Sequence, residues 1–339
     1  MRTARRILGL LWTSQAGIAS SSDEHRIANI FQPLTTPGGQ VANIATLTNL
    51  VCGVIFVIVA SLLVYAIIRF RRKPGDDLTE PPQVYGSNQI EIAWTVIPIL
   101  IVFVLFMVTA RVVSGIQDAK APRNALHATI IGHQWWWEIY YPDLGITTAN
   151  ELNVPESGAD HQPTYLKLQS VDVIHSFWVP QLAPKMDVIP NRNNQMWLDP
   201  KQSGTFLGNC AEYCGTQHAN MLIRVVVRPT EEFARWADSE KQPARTDDSV
   251  SAQRQVFESL SCVNCHTVRG TSAEGKFGPD LTHLMSRQTL GSGMIPNNRE
   301  NLRAWIKDPQ EIKPGCLMPS MQLGDSQLDA VVSYLFTLK

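Results

Sequence analysis

The chain opens polar and then turns apolar twice. Ala45 to Ile68 is an uncharged run of 24 residues and Ile92 to Ala110 a second run of 19, each close to the roughly 20 residues that a membrane-spanning helix needs. Both runs predict membrane helices. Pro98, inside the second, fits this, because a bundled membrane helix finds other partners for the carbonyl that a proline frees. Between them lies RFRRKPGDDLTEPPQ, with Arg69, Arg71, Arg72 and Lys73 directly after the first helix. Such a basic flank keeps a short loop on the cytoplasmic side, so both termini face outward. The same flank speaks against two core helices of a soluble protein, since a helix ending in RFRRK does not belong inside a globule.

After Arg111 the pattern changes. His127–Ile131, Thr164–Leu168 and Leu222–Val227 are short runs rich in β-branched residues, separated by Pro, Gly and Asn, the texture of a small β-sandwich. PTEEFARWADSEKQPARTDDSV follows, an amphipathic turn around Phe233 and Trp236 that fades into a charged, Pro-containing linker from Asp238. From Ser251 the period is helical: AQRQVFESL, ENLRAWIKDP stopped by Pro309, and SQLDAVVSYLFTL. The predicted organisation is an N-terminal segment at 1–40, a two-helix transmembrane hairpin at 41–113, a β-sandwich at 114–237, a linker at 238–250 and an all-α domain at 251–339. MRTARRILGLLW and the small residues up to Ser20 read as a weak secretory signal with a short apolar stretch.

Composition narrows the chemistry. The 339 residues carry a formal net charge of −1, which names no polyanionic partner and sets nucleic acid aside. Of six cysteines, Cys52 lies in the first membrane helix and Cys316 near the end, so they form no evident pair. A disulfide-stapled scaffold does not follow.

Cys262-Val263-Asn264-Cys265-His266 has the spacing for covalent attachment of a c-type haem, with His266 placed to ligate iron. A bare C-x-x-C could also be a redox dithiol or half of a zinc site. Against both stand the adjacent histidine, the lack of a second C-x-x-C nearby, and Met318 in PGCLMPSM as a thioether sixth ligand, a pairing that raises the reduction potential. Met321 is the rival ligand, and core packing is the bland role for either. CVNCH, GPDL at 278–281, LMP and the closing helix with Tyr334 and Leu335 resemble the class I cytochromes c, which implies a three- to four-helix fold around one haem.

A second constellation reads CAEYCGTQHANM at 210–221. Cys210 and Cys214 are four apart, His218 four further on and Met221 three beyond. Zinc would use the thiolates and imidazole but leave the thioether idle; thiolate, imidazole and thioether together are the soft, mixed set that copper prefers. A single blue copper needs only one cysteine, so two suggest thiolates bridging a copper pair, and that requires one more histidine. His175, in SVDVIHSFWVP, is that candidate, with Phe177 and Trp178 as a dry wall.

With DVIHSFWVP, KMDVIP, the C-x-E-x-C-x-x-x-H-x-x-M block, GHQWWWEIYY and EIAWTVIP in view, residues 30–237 resemble cytochrome c oxidase subunit II. The resemblance implies a membrane hairpin and a cupredoxin-like β-sandwich holding binuclear CuA. Cys210 and Cys214 would bridge the coppers, His175 and His218 be terminal ligands, Met221 a weak ligand and Glu212 a ligand through its carbonyl. The Glu212 side chain would reach a magnesium ion at the border with subunit I. The attached domain resembles the branch in which a haem c donor is fused to subunit II. One departure is Pro190-Asn191-Arg192 where the family often has Pro-Gly-Arg, a turn that Asn tolerates.

In the family the tryptophan after His-Gln, here Trp135, lies between CuA and the haem of subunit I; a membrane-surface girdle is its bland reading. Glu91 resembles the acid at the mouth of a proton channel and equally suits a helix-start carboxylate. The implied protein is the electron-accepting subunit of an aa-type terminal oxidase in the bacterial inner membrane, its copper and haem domains periplasmic. Its implied partners are subunits I and III and an external cytochrome c or quinol–cytochrome c reductase as donor. A nitric oxide or nitrous oxide reductase subunit, or a non-catalytic copper-binding module, are the competing readings.

Overall fold

The computed structural model describes residues 29–339 apart from 76–79, 81, 84, 119, 122–124, 159–162 and 246–247. The stretch read as a secretory signal lies outside the described residues.

Helices α1 (Thr36–Arg69) and α2 (Asn88–Gln117) form a hairpin. Their apolar windows reach mean hydropathies of 2.9 and 2.7 and none of either is buried within the chain. A soluble protein does not leave apolar surface of that extent open to water, which removes the alternative of two core helices and makes the hairpin a membrane anchor. Both helices run past their apolar stretches, and the reason lies at their ends. Thr35 caps α1 by accepting from the Gly38 amide at 3.0 Å, and the Asp199 carboxylate accepts from the Thr36 amide at 2.7 Å and its hydroxyl at 2.6 Å. At the same end of the hairpin, where α2 finishes, Gln195 donates to the Gln117 carbonyl at 2.9 Å and Trp197 to the Gly115 carbonyl at 3.4 Å. Gln195 and Trp197 belong to one strand (Asn194–Leu198) and Asp199 follows it. A single segment thus satisfies orphan donors of one helix and orphan acceptors of the other.

The sandwich consists of β1 (Leu126–His133), β2 (Trp136–Tyr141), β3 (Ile146–Ala149), β4 (Glu151–Pro155), β5 (Thr164–Ser170), β6 (His175–Trp178), β7 (Met186–Val188), β8 (Asn194–Leu198), β9 (Gly204–Cys210) and β10 (Leu222–Arg228). One sheet has the order β3-β2-β1-β5-β8 and the other β4-β10-β9-β6-β7. Alternation puts Ile130, Ile139, Leu166 and Leu168 of the first sheet in one core with Leu152, Val154, Phe177 and Val225 of the second. Trp137 is fully buried there, edge-on to Phe177. The Tyr141 hydroxyl ties the sheets, donating to the Asn153 carbonyl and accepting from its amide, both at 2.8 Å. Asn191, in the turn that departs from the family pattern, takes the left-handed conformation with φ of 60°.

Helix α3 (Thr230–Glu240) lays Trp236 on Tyr141 and continues past the point where a linker is expected. The segment after it is anchored. Arg269 donates to the carbonyls of Glu240 and Lys241, and Ala244 enters the core of the C-terminal domain. That domain contains α4 (Ser251–Ser259), α5 (Cys262–Cys265), α6 (Arg299–Lys307), α7 (Pro309–Ile312) and α8 (Asp325–Leu335), with a two-residue strand pair, β11 (Thr289–Leu290) and β12 (Ile295–Pro296). α4 and α6 pack on α8 around Phe257, Leu302, Ile306, Val331 and Leu335.

Asp199→Ala is expected to lower unfolding stability by about 1 kcal/mol, because it removes the acceptor that the Thr36 amide and hydroxyl use in the first turn of α1. Asp199→Asn, which keeps an acceptor, should cost less. Denaturant titration of the detergent-solubilised chain tests this, and an unchanged midpoint for Asp199→Ala would count against the capping role.

Candidate metal centre and adjoining cavity

His175 opens β6 and Cys210 closes β9, and these strands are paired through Phe177 and Cys210. Cys214, His218 and Met221 come from the β9–β10 loop, which turns through a short 3-10 segment at His218–Asn220. The loop brings the six residues singled out in the sequence to one place. Cys210 Sγ lies 3.7 Å from Cys214 Sγ, 3.9 Å from His175 Nδ1 and 3.2 Å from the Glu212 carbonyl oxygen. Cys214 Sγ lies 3.7 Å from His218 Nδ1 and 3.9 Å from Met221 Sδ. His175, Cys210 and Cys214 are buried and their ligand atoms fall within 4.8 Å of one another.

The neighbours fix this set. Asp172 Oδ1 is 2.8 Å from His175 Nε2, so the ring presents Nδ1 to the sulfurs, as carboxylate partners do for ligating histidines. Gly132 makes room for the ring: a Cβ there would stand 2.7 Å from His175 Cδ2. Gln134 Nε2 and Trp135 Nε1 both donate to the Cys214 carbonyl, at 2.7 and 3.0 Å. A hydrogen bond from Cys214 holds the Cys210 thiol pKa well below the ordinary thiol range, while the same contact, with burial, pushes Cys214 above it. One sulfur ionises readily and the second resists. Both become thiolates only beside positive charge, so two thiols, two imidazole nitrogens, a thioether and a carbonyl make a donor set that fits soft metal cations.

Beside this centre lies a cavity of about 310 Å³. Cys262, Cys265 and His266 line one side, and Met318 and Met321 also face it. His266 Nδ1 is 2.8 Å from the Pro279 carbonyl, which leaves Nε2 as the free ligand atom. Burial lowers the His266 pKa, keeping the imidazole neutral as metal ligation requires. Gly278 lies so close that a Cβ would meet His266 Cε1 at 2.6 Å. Arg287 lines the same cavity, and its buried Nε has no partner among the described residues. An apolar slot with paired thiols, an oriented imidazole and one unpaired guanidinium nitrogen fits a haem with its carboxylates.

The Trp135 ring lines the cavity of the C-terminal domain while its indole N–H donates to the Cys214 carbonyl. The docked C-terminal domain puts it there. Trp136 stacks on His133 at 4.2 Å between ring centres and Trp137 is core, so the three tryptophans do not form one girdle. The Glu212 side chain is half exposed with Lys185 Nζ 3.9 Å away. Glu91 sits exposed in the first turn of α2, on the side of the basic loop. Sequence reasoning missed Asp172, although an acid three residues before a ligand histidine was a visible signal, and Arg287, for which no local pattern exists.

Three family profiles match: the cytochrome c oxidase subunit II transmembrane domain over residues 25–112, its periplasmic domain over 150–228, and cytochrome c over 251–339. Cytochrome c oxidase subunit 2 of Alkalihalophilus pseudofirmus is 35% identical over 306 residues, covering 86% of each chain. That of Bacillus subtilis is 33% identical over 326 residues, 89% of this chain and 90% of the relative. Among solved structures, the periplasmic domain of subunit II from Bradyrhizobium japonicum is 31% identical with a TM-score of 0.34, over 36% of this chain and 97% of that one. Identity at this level across nearly the whole length places the chain in the cytochrome c oxidase subunit II family, in a form that carries a cytochrome c domain at its C-terminus.

Proposed function

We propose that the chain is the electron-accepting subunit of an aa-type terminal oxidase. It takes electrons onto a covalent haem c and passes them through a binuclear CuA centre to subunit I, where oxygen is reduced to water with proton pumping. The observation that carries this reading is the position of Trp135, bonded to the Cys214 carbonyl at 3.0 Å and facing the cavity lined by Cys262, Cys265 and His266. A copper pair bridged by two thiolates shares an added electron over both metals with little change in bond lengths, and a haem with histidine and methionine ligands supplies a one-electron iron couple.

The protein's own residues do the holding. Cys210, Cys214, His175 and His218, the latter two through Nδ1, with Met221 and the Glu212 carbonyl, would hold the copper pair, and Asp172 keeps the Nδ1 of His175 turned toward the sulfurs. Cys262 and Cys265 would anchor the haem covalently, and His266 and Met318 would hold its iron. The half-exposed Glu212 carboxylate suits a magnesium ion at the boundary with subunit I, and Glu91 the mouth of a proton path. Subunit III completes the complex, and a cytochrome c or the quinol–cytochrome c reductase delivers the electrons. The copper and haem domains lie on the periplasmic face of a bacterial inner membrane. A nitrogen-oxide reductase subunit is separated from this reading by oxygen uptake of the co-purified complex, and a copper-storage module by the presence of haem.

Electron paramagnetic resonance of the purified chain should show one unpaired electron coupled to two equivalent coppers; a zinc-only metal content would sink the reading. Cys214→Ser should abolish that signal and leave the haem spectrum intact. Gly132→Ala changes no ligand, yet its methyl group presses on His175, so the copper signal should be altered and metal retention weakened. Met318→Ala should change the haem's axial ligation in optical spectra and lower its potential, whereas Met321→Ala should do neither; the reverse result would transfer the role to Met321.

A further inference from the structure

Two buried ionisable side chains of opposite type lie where the cytochrome c domain meets the copper domain, and neither is among the residues proposed to hold copper or haem. Lys313, after α7, is 3% exposed. Its ammonium group donates to the carbonyls of Trp135 at 2.8 Å, Asn220 at 2.7 Å and Gly291 at 2.9 Å. Two of these belong to the copper domain: Trp135 is the residue at the cavity, and Asn220 precedes the ligand Met221. Glu151, which opens β4 in the copper domain, is 4% exposed. Its Oε1 accepts from the amides of Gln288 at 2.8 Å and Thr289 at 3.0 Å and from the Thr289 hydroxyl at 3.3 Å, all in the cytochrome c domain.

Each domain therefore inserts one charged side chain that main-chain groups of the other domain help to satisfy. Around them, Gln217 donates to the Pro314 carbonyl at 2.5 Å, Arg224 to the Thr289 hydroxyl at 2.9 Å, and Ser292 to the Leu222 carbonyl at 2.8 Å. Burial presses the Lys313 pKa down to about 8, yet three carbonyls aimed at one nitrogen are the full complement for an ammonium. Exposed ion pairs tolerate sliding, because water replaces a lost partner at little cost. A buried charge pinned to backbone atoms does not, since a shift leaves it unpaired in a dry interface.

We propose that Lys313 and Glu151 are positioning residues that lock the cytochrome c domain onto the copper domain in a single register, so that electrons cross a fixed contact rather than waiting for a tethered domain to find its partner. The lock rests on reading the chain as a haem-to-copper relay. It is independent of which external protein supplies the electrons.

The test uses the full-length chain, purified with its cofactors in detergent. After flash reduction of the haem, one electron leaves iron and one arrives on the copper pair, and the rate is followed optically at several viscosities. Amide hydrogen exchange of residues 220–222 and 288–292 is measured in parallel. Wild-type transfer should be independent of viscosity. Lys313→Met and Glu151→Leu should each slow it about tenfold or more, because misplacing reacting partners by an ångström is costly. Both should make the rate viscosity-dependent and speed exchange at the interface, with the optical haem and copper resonance spectra unchanged. Glu151→Gln keeps an acceptor oxygen and should stay within about twofold of wild type. A merely structural contribution would lower stability without introducing viscosity dependence. Wild-type rates and exchange in both Lys313→Met and Glu151→Leu would overturn the lock, as would viscosity-dependent transfer in the wild type. If Lys313→Met fails to load cofactors, Glu151→Leu, on the opposite side of the interface, decides the matter. Absence of any haem-to-copper transfer in the wild type would instead overturn the relay, and the exchange data alone would then judge the lock.

Discussion

Two buried thiols whose sulfurs stand 3.7 Å apart set the terms for the surrounding structure. Left alone they share a proton, one sulfur ionised at the expense of the other, and only nearby cations let both ionise together. A loop free to relax would part them. The cupredoxin-like sandwich prevents this by taking Cys210 and His175 from two paired strands and by clamping the Cys214 carbonyl with two side chains from the β1–β2 connection. The small residue at 132 and the carboxylate at 172 follow from the same requirement, one yielding space to an imidazole and the other aiming it.

The second domain is organised around the first. Its cavity wall is partly built from Trp135 and Trp136 of the sandwich, so the pocket beside CVNCH is complete only when the domains are docked. The segment between them is correspondingly short of freedom. Glu240 accepts from Ser286 at 2.9 Å and the Gln242 carbonyl lies 3.0 Å from His283 Nε2, which fastens the end of α3 to the domain that follows it.

Much of the chemistry was legible in the sequence because ligand sets impose residue types at fixed spacings. Cys210, Cys214, His218 and Met221 sit in one loop, and their excess over the needs of zinc pointed to copper and to a missing histidine. The cytochrome c domain was legible for the same reason, through CVNCH, as were the membrane helices, whose signal is an unbroken apolar run. What stayed hidden depends on residues distant in the chain. The helices end where they do because Asp199, Gln195 and Trp197 meet them. Which wall the Trp135 ring faces is decided by domain docking, not by its neighbours in sequence. The charged stretch after Trp236 looked like a tether because charge suggests solvent, whereas Ala244 enters a core and the backbone of Glu240 is held by Arg269. The small strand pair within the helical domain escaped notice because two residues carry no periodicity.

The segment that caps both membrane helices has a mechanical consequence. Since β8 and Asp199 grip the first turn of α1 and the last turn of α2 through backbone groups, the sandwich cannot rise, sink or tilt on its anchor without breaking those bonds. The height of the β9–β10 loop above the membrane is thereby built into the chain. A thicker or thinner bilayer must be accommodated at the opposite ends of the helices, near Arg69 and Ser87, so that loop is insulated from the changing thickness of the membrane that carries it.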